Sequence, residues 1–221
     1  MKPTIKIDYV SDVACPWCAV GFGNLYQAIN QFSNQANFEV HFRPFELNPH
    51  MPKGGQDAIE HLTEKYGLTI EQVQANQAAI RLKALESGFR FHPEGRKRVY
   101  NTFNAHRLLY WAAKEYGLEK QAVLKKELLN TYFCLAADLD DPQNLLDAVG
   151  RANLDQNMAQ ALLESKDFSN EVREEEATYT QAGIHSVPSL ILNGQYLLQG
   201  AQPAQSFVAA FEQLLAKHPT T

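Results

Sequence analysis

Two cysteines stand three positions apart in Cys15-Pro16-Trp17-Cys18, a spacing suited to disulfide exchange. That reaction needs a thiolate that attacks and a second thiol near enough to displace the mixed disulfide. Where such a pair opens a helix, the first sulfur meets unpaired backbone N–H groups and the positive end of the helix dipole. Both effects lower a thiol pKa from about 8.5 towards about 3.5–7.5. The second sulfur lies on the same face, one turn deeper, and is expected to be less exposed and less acidic. Cys15 is therefore expected to attack and Cys18 to resolve. Trp17 brings bulk but no positive charge, so the thiolate of Cys15 depends mainly on the helix terminus.

The same four residues have other uses. A Cys-x-x-Cys is half of a structural zinc site, which needs two more soft ligands. Cys134 is the single remaining thiol and the histidines contain no His-x₃₋₅-His pair, so no metal site is expected. Cys134 lies inside a helical pattern and reads as an inert buried thiol. Val187-Pro188 precedes a short apolar run and, taken alone, reads as a proline at the start of an edge strand. His106 shares helical spacing with Val99, Phe103, Tyr110 and Ala113, the pattern of a satisfied histidine facing a core. His185 stands three residues before Pro188, either a surface loop residue or a substrate contact. Asp12 could accept a cysteine proton, although helix capping is the simpler role. Arg96-Lys97-Arg98 reads as a solvated helix start.

The elements that would position these groups follow from periodicity. Residues 4–10 alternate Ile5, Ile7, Tyr9 against Lys6 and Asp8, a strand pattern. Phe22, Leu25, Ile29 and Phe32 then recur at helical spacing, with Pro16 suited to the first turn. Residues 38–45 alternate again as a second strand. Prolines and glycines over 48–55 mark a boundary. From about 56 to 167 the patterns are helical, with no strand expected, over roughly 57–66, 70–87, 96–116, 119–137, 142–151 and 155–165. Gly67, Gly88 and Gly117 suit helix ends; Asp141-Pro142 and the stretch from Asn153 to Asp155 suit helix starts. A helix over 168–182 leads to Ser189–Leu192, the turn Asn193-Gly194, a returning strand Gln195–Gln199 and a last helix with Phe207, Phe211, Leu214 and Leu215 on one face.

Composition sets bounds on function. The chain has 221 residues, 45% hydrophobic and 20% charged, with a formal net charge of -5. That is the balance of a globular protein, and it argues against a broad nucleic-acid or anionic-lipid footprint. No window approaches the ~20 apolar residues of a membrane span, so no membrane partner is expected. The first ten residues alternate and include Asp8, unlike a secretory leader, which leads to an expectation of a cytoplasmic protein.

A strand, Cys15-Pro16-Trp17-Cys18 at a helix start, and Gly183-Ile184-His185-Ser186-Val187-Pro188-Ser189 before a hairpin together resemble the thioredoxin fold. More narrowly they resemble the DsbA family, whose helical insertion falls at this point of the fold. Asp12-Val13-Ala14-Cys15-Pro16-Trp17-Cys18 with the helix Asn101-Thr102-Phe103-Asn104-Ala105-His106-Arg107-Leu108 is similar to the FrnE-like branch. The resemblance implies an α/β fold of βαβ, then α, a β-hairpin and α, with an all-helical insertion. Residues 1–48 and 168–221 would form the thioredoxin-like domain and 49–167 the insertion. It implies Cys15 as nucleophile, Cys18 as resolving thiol and Pro188 as a cis-proline. Pro16, Trp17, Val187 and Pro188 would then contact substrate, with the backbone of Val187 pairing to an extended segment.

The implied activity is thiol-disulfide exchange with protein or small-molecule thiols and disulfides. It needs no cofactor, although glutathione is a candidate redox partner; the oligomeric state is left open. Two other functions fit this fold. Kappa-class glutathione transferases and hydroxychromene-carboxylate isomerases share it but generally carry serine at the position of Cys15, so the pair Cys15 and Cys18 favours redox chemistry. A non-catalytic holdase binding extended peptides beside Pro188 is the third.

Overall fold

The computed structural model describes residues 2–217; residues 1 and 218–221 of the two expected thioredoxin-like segments lie outside them. Strand β1 (Thr4–Ser11) runs into helix α1 (Pro16–Phe32) and then β2 (Asn37–Pro44). β1 and β2 pair in parallel with Tyr9 opposite Phe42 and Ser11 opposite Pro44. After the middle of the chain come α8 (Ser169–Gln181), β5 (Ser189–Leu192), β6 (Tyr196–Gln199) and α9 (Ala204–Lys217). β5 pairs antiparallel with both β1 and β6, giving a four-stranded sheet in the order β2-β1-β5-β6. Asn193 and Gly194 take the left-handed conformation that their tight turn requires. This is the expected mixed sheet with a βαβ unit and a hairpin.

The alternation in β1 sends Ile5, Ile7 and Tyr9 into the core, each fully buried. The apolar face of α1 packs over them, and α9 lies beside α1, with Phe211 meeting the rings of Phe32 and Phe38 at 5.7 and 4.9 Å. β2 is an edge strand, whose outward N–H and C=O groups need partners. Gln121 supplies both: its side chain accepts from Phe42 N and donates to Phe42 O, each at 3.0 Å.

Gln121 belongs to the helical block between β2 and α8. That block holds α2 (Ala58–Tyr66), α3 (Ile70–Glu86), α4 (Phe103–Tyr116), α5 (Leu118–Leu129), a π-helical turn (Asn130–Cys134), α6 (Pro142–Arg151) and α7 (Gln156–Glu164). Asp141 and Asp155 cap α6 and α7 as expected, and Gly67 ends α2 in the left-handed conformation.

Three expectations are corrected here. The block is not wholly helical: β3 (Gln56–Asp57) and β4 (Arg98–Val99) form a short antiparallel ladder. Two-residue strands are too short to leave a period in the sequence. The helix expected from 96 begins only at Phe103, because Arg98–Val99 is spent on that ladder and Asn101 accepts from Phe103 N at 2.9 Å. The helix expected over 119–137 widens into the π turn after Leu129, where Leu135 N reaches Asn130 O.

The docking of α1 on the end of α3 leaves no room for a side chain at Gly23, where a Cβ would stand 2.0 Å from the Ser87 carbonyl oxygen. Gly23→Ala should therefore cost about 1–3 kcal/mol or more, as overpacking against rigid backbone does. Denaturant unfolding measures this, and a loss under about 0.5 kcal/mol would mean that the two helices separate easily.

Candidate active site

The site begins where β1 ends. Cys15 is the N-cap of α1, with φ −92° and ψ 114°, and Pro16 occupies the first turn. No side chain caps this helix, so its terminal N–H groups are free to serve the Cys15 sulfur. Cys15 is 5% exposed and Cys18 is 0%, while Trp17 projects outward at 40%. All three cysteines are free thiols.

The two sulfurs of the motif differ sharply in acidity. The Cys15 pKa is lowered, chiefly by a hydrogen bond from the Cys18 thiol. Burial opposes this, and the backbone N–H groups of Cys18 and Trp17 add to it. The Cys18 thiol is pushed well up, first by burial and then by its role as donor to Cys15. The expected asymmetry is present.

Across from Cys15 stands the loop before β5. The Cys15 thiol donates to the Val187 carbonyl at 3.7 Å, and the Val187–Pro188 peptide bond is cis. The edge-strand reading of Pro188 gives way to one in which Pro188 lies against the active-site helix. A Cβ on Gly21 would come within 3.2 Å of Pro188 Cγ and 2.7 Å of the Tyr9 hydroxyl. That hydroxyl donates to Cys18 O at 2.8 Å, tying α1 to the sheet below the cysteines.

Asp12 does not cap α1. It is 1% exposed, and its carboxylate accepts from Ala14 N at 3.0 Å and from Leu47 N at 2.7 Å. His106 Nε2 lies 3.5 Å from Asp12 Oδ1. Burial alone would raise the Asp12 pKa, but the imidazole and the two backbone donors outweigh it and hold the carboxyl below its usual range. His106 faces the core as expected, yet its Nε2 has no hydrogen-bond partner among the described residues, so it is not a satisfied histidine.

Of the basic cluster, Lys97 and Arg98 are exposed as expected, but Arg96 is only partly so. It donates to Ala14 O at 2.6 Å and lies over the rings of Tyr132 and Phe133. Cys134 is half-buried with its thiol pKa raised by burial, away from the cysteine pair in the π turn. Lys125 was not singled out by sequence. It is 0% exposed, its Nζ has no hydrogen-bond partner among the described residues, and its charge is felt by Cys18. The available signal was its place four residues after Gln121, on the face of α5 that carries Leu128 and Leu129.

A cleft of about 800 Å³ opens above Cys15 and Trp17. Its far wall comes from α2 and α3, including Tyr66, Val73 and Ile80, and its near wall from Phe133, His185 and Val187. Its lining includes Lys65, Arg81 and Arg96 as well as Glu46, which is engaged by Arg173. His185 thus borders the cleft.

A thioredoxin-type sheet whose first helix opens on paired thiols defines a thiol-disulfide oxidoreductase. The chain belongs to the DSBA-like thioredoxin domain family, whose model matches residues 6–212. The structure is similar to the "probable DsbA oxidoreductase" of Streptomyces coelicolor, at TM-score 0.88 and 30% identity, covering 98% of this chain and 92% of that one. It shares its fold with a 2-hydroxychromene-2-carboxylate isomerase, at TM-score 0.70 and 11% identity over 96% and 97% of the two chains. It does so also with the cytosolic disulfide reductase DsbM of Pseudomonas aeruginosa, solved with GSH, at 0.61 and 13% over 96% and 99%. No curated protein matches the chain significantly by sequence. No helix among the described residues is long and apolar enough to cross a membrane.

The acidity difference predicts selective alkylation. In the reduced protein a small reagent such as iodoacetamide should modify Cys15 ahead of Cys18 and Cys134, with the rate rising at a pH below the ordinary thiol range of about 8.5. Peptide mapping across pH tests this; equal labelling of the three thiols would remove the thiolate from Cys15.

Proposed function

We infer that this protein exchanges disulfides through Cys15-Pro16-Trp17-Cys18, with Cys15 attacking and Cys18 resolving. The observation that carries this reading is the position of the Cys15 sulfur: on the open end of α1, with its pKa lowered, and 3.7 Å from Val187 O beside Pro188. A thiolate there can attack a disulfide presented from the cleft. Val187 offers backbone groups to an extended segment, in the manner of strand addition. Pro16, Trp17, Val187 and Pro188 make up the contact surface around the sulfur.

Resolution follows from depth. Cys18 is hydrogen-bonded to Cys15 and closed off from solvent, so it reaches the mixed disulfide while no outside thiol reaches Cys18. The free pair of thiols supports redox chemistry over the isomerase reading, in which the position of Cys15 generally carries serine. The Asp12–Cys18 motif and the Asn101–Leu108 segment resemble those of the FrnE-like branch, which supports reading the protein as a member of it, and we propose that it acts in the cytoplasm. Substrates are protein or small-molecule disulfides. Glutathione is the proposed redox partner, since Lys65, Arg81 and Arg96 line the cleft and would favour an anionic thiol.

Cys15→Ser should reduce disulfide-reductase turnover to background, because a hydroxyl does not replace the thiolate. Cys18→Ala should instead accumulate mixed disulfides on Cys15, glutathione among them, visible by mass spectrometry. Failure to trap any adduct would point to a mechanism that uses one cysteine. Cys134→Ser should leave turnover near that of the parent, and a large loss would make Cys134 a third redox participant.

A further inference from the structure

The peptide unit that joins Ala14 to Cys15 is held at both of its polar ends. Cys15 N donates to Asp12 O at 3.3 Å, and Ala14 O accepts from Arg96 Nη1 at 2.6 Å. Arg96 comes from the segment between α3 and β4, and it lines the same cleft as Cys15. Its guanidinium lies 5.5 Å from the centroid of the Tyr132 ring and 5.6 Å from that of Phe133. A hydrogen bond on one edge and two rings alongside hold this cation in place.

A guanidinium is a fork of N–H donors, and the bond to Ala14 O uses one nitrogen of it. No carboxylate stands within ion-pair distance of Arg96 among the described residues. The other charges of the cleft are disposed differently. Lys65 Nζ is engaged by Leu47 O at 2.8 Å and by Asn48 Oδ1 at 2.7 Å. Glu46, the one carboxylate among the lining residues, is held by Arg173 and by Asn101 Nδ2. Arg81 stands on α3 of the far wall. Arg96 is the cation fastened to the backbone beside the nucleophile, with the rest of its fork left for an anion. A fork already fixed loses little freedom when it takes a planar carboxylate.

We propose that Arg96 binds a carboxylate of the disulfide that Cys15 attacks, a role that rests on the reading of Cys15 as the attacking thiol. The guanidinium is anchored one peptide unit from that sulfur, so its anion has to sit a few bonds from the reacting disulfide. A free mercapto acid such as cysteine carries its carboxylate there, whereas a cysteine inside a protein chain carries an amide. The substrate class is therefore the small disulfide of a mercapto acid. An unpaired carboxylate would repel the incoming thiolate, and the guanidinium offsets that charge. Cys15 Sγ bonds to one substrate sulfur, the substrate S–S bond breaks, and the other half leaves as thiolate and takes a proton from solvent. Cys18 then displaces the half held by Arg96, which leaves as a second thiol. The cysteine pair has been oxidised by two electrons and the substrate disulfide reduced to two thiols.

Three symmetric disulfides with the same short alkyl arm test this. Dithiodipropionate ends in carboxylates, hydroxyethyl disulfide in hydroxyls and cystamine in ammonium groups. The rate at which each oxidises the reduced protein is read by mass spectrometry after acid quenching. Relative to hydroxyethyl disulfide, Arg96→Met should slow dithiodipropionate by about 10-fold or more, the effect of losing a hydrogen bond between charged groups. The rate with cystamine should not fall relative to hydroxyethyl disulfide, and Arg96→Lys should lie between parent and Arg96→Met with dithiodipropionate. Equal slowing of all three would confine Arg96 to holding Ala14 O and overturn the proposal, as would an unchanged rate with dithiodipropionate. Cys15→Ser is the control for the underlying reading: if it consumes the disulfides as fast as the parent, Cys15 is not the attacking thiol, and that reading fails first. Should Arg96→Met not fold, the ¹⁵Nε signal of Arg96 decides, measured in Cys18→Ala with mercaptopropionate or mercaptoethanol bound to Cys15. The signal must differ between the two adducts, and a common position overturns the proposal.

Discussion

The buried carboxylate of Asp12 is the constraint on which the active site depends. A charge with 1% exposure is tolerated only where hydrogen bonds replace water, and here the replacements are the N–H groups of Ala14 and Leu47. The first lies in the turn that delivers Cys15 to the start of α1, the second just beyond β2. One side chain therefore ties the exits of both parallel strands together below the cysteines. The turn in turn fixes the direction of α1, since Cys15 N donates to Asp12 O at 3.3 Å. Without that tie, neither the helix terminus nor the loop opposite it would have a fixed distance to the sulfur.

The chemistry of the site comes from a difference in surroundings between two otherwise identical thiols. Cys15 sits on the open end of the helix, receiving hydrogen bonds from Cys18 and from backbone N–H groups. Cys18 sits one turn in, closed off from solvent, where burial favours the protonated form. In the proposed function, the order of attack and resolution follows from which sulfur can hold negative charge. No cation acts on Cys15 as strongly as these hydrogen bonds do, in keeping with Trp17 as its outward neighbour. The buried Lys125 acts on Cys18 first and on Cys15 less.

The helical block is part of the candidate site rather than an ornament on it. α4 brings His106 to Asp12, α5 covers the edge of β2 and carries Lys125, and Arg96 reaches the Ala14 carbonyl from the segment before β4. α2 and α3 form the wall of the cleft facing Cys15. The close contact of Gly23 with Ser87 joins α1 to α3, so the wall and the sulfur keep a fixed relation.

Local order determined much of this protein. The period of two in Ile5, Ile7 and Tyr9 and the recurrence of Phe22, Leu25 and Phe32 specified β1 and α1. Proline after Cys15 and the Asn193-Gly194 turn specified a helix start and a hairpin, because each of these signals acts over a few residues of backbone. The difference between Cys15 and Cys18 was legible for the same reason: it depends on position along one helix. The ladder of Gln56–Asp57 with Arg98–Val99, the hydrogen bond of Arg96 to Ala14 O and the placing of His106 beside Asp12 were decided only by tertiary structure. So was the burial of Lys125, which reads in sequence as one of several lysines on a polar helix. Each of these joins residues tens of positions apart, where the outcome depends on which faces the packing seals from water. A sequence records which side chains a helix carries, and the fold settles which of them must surrender their hydration.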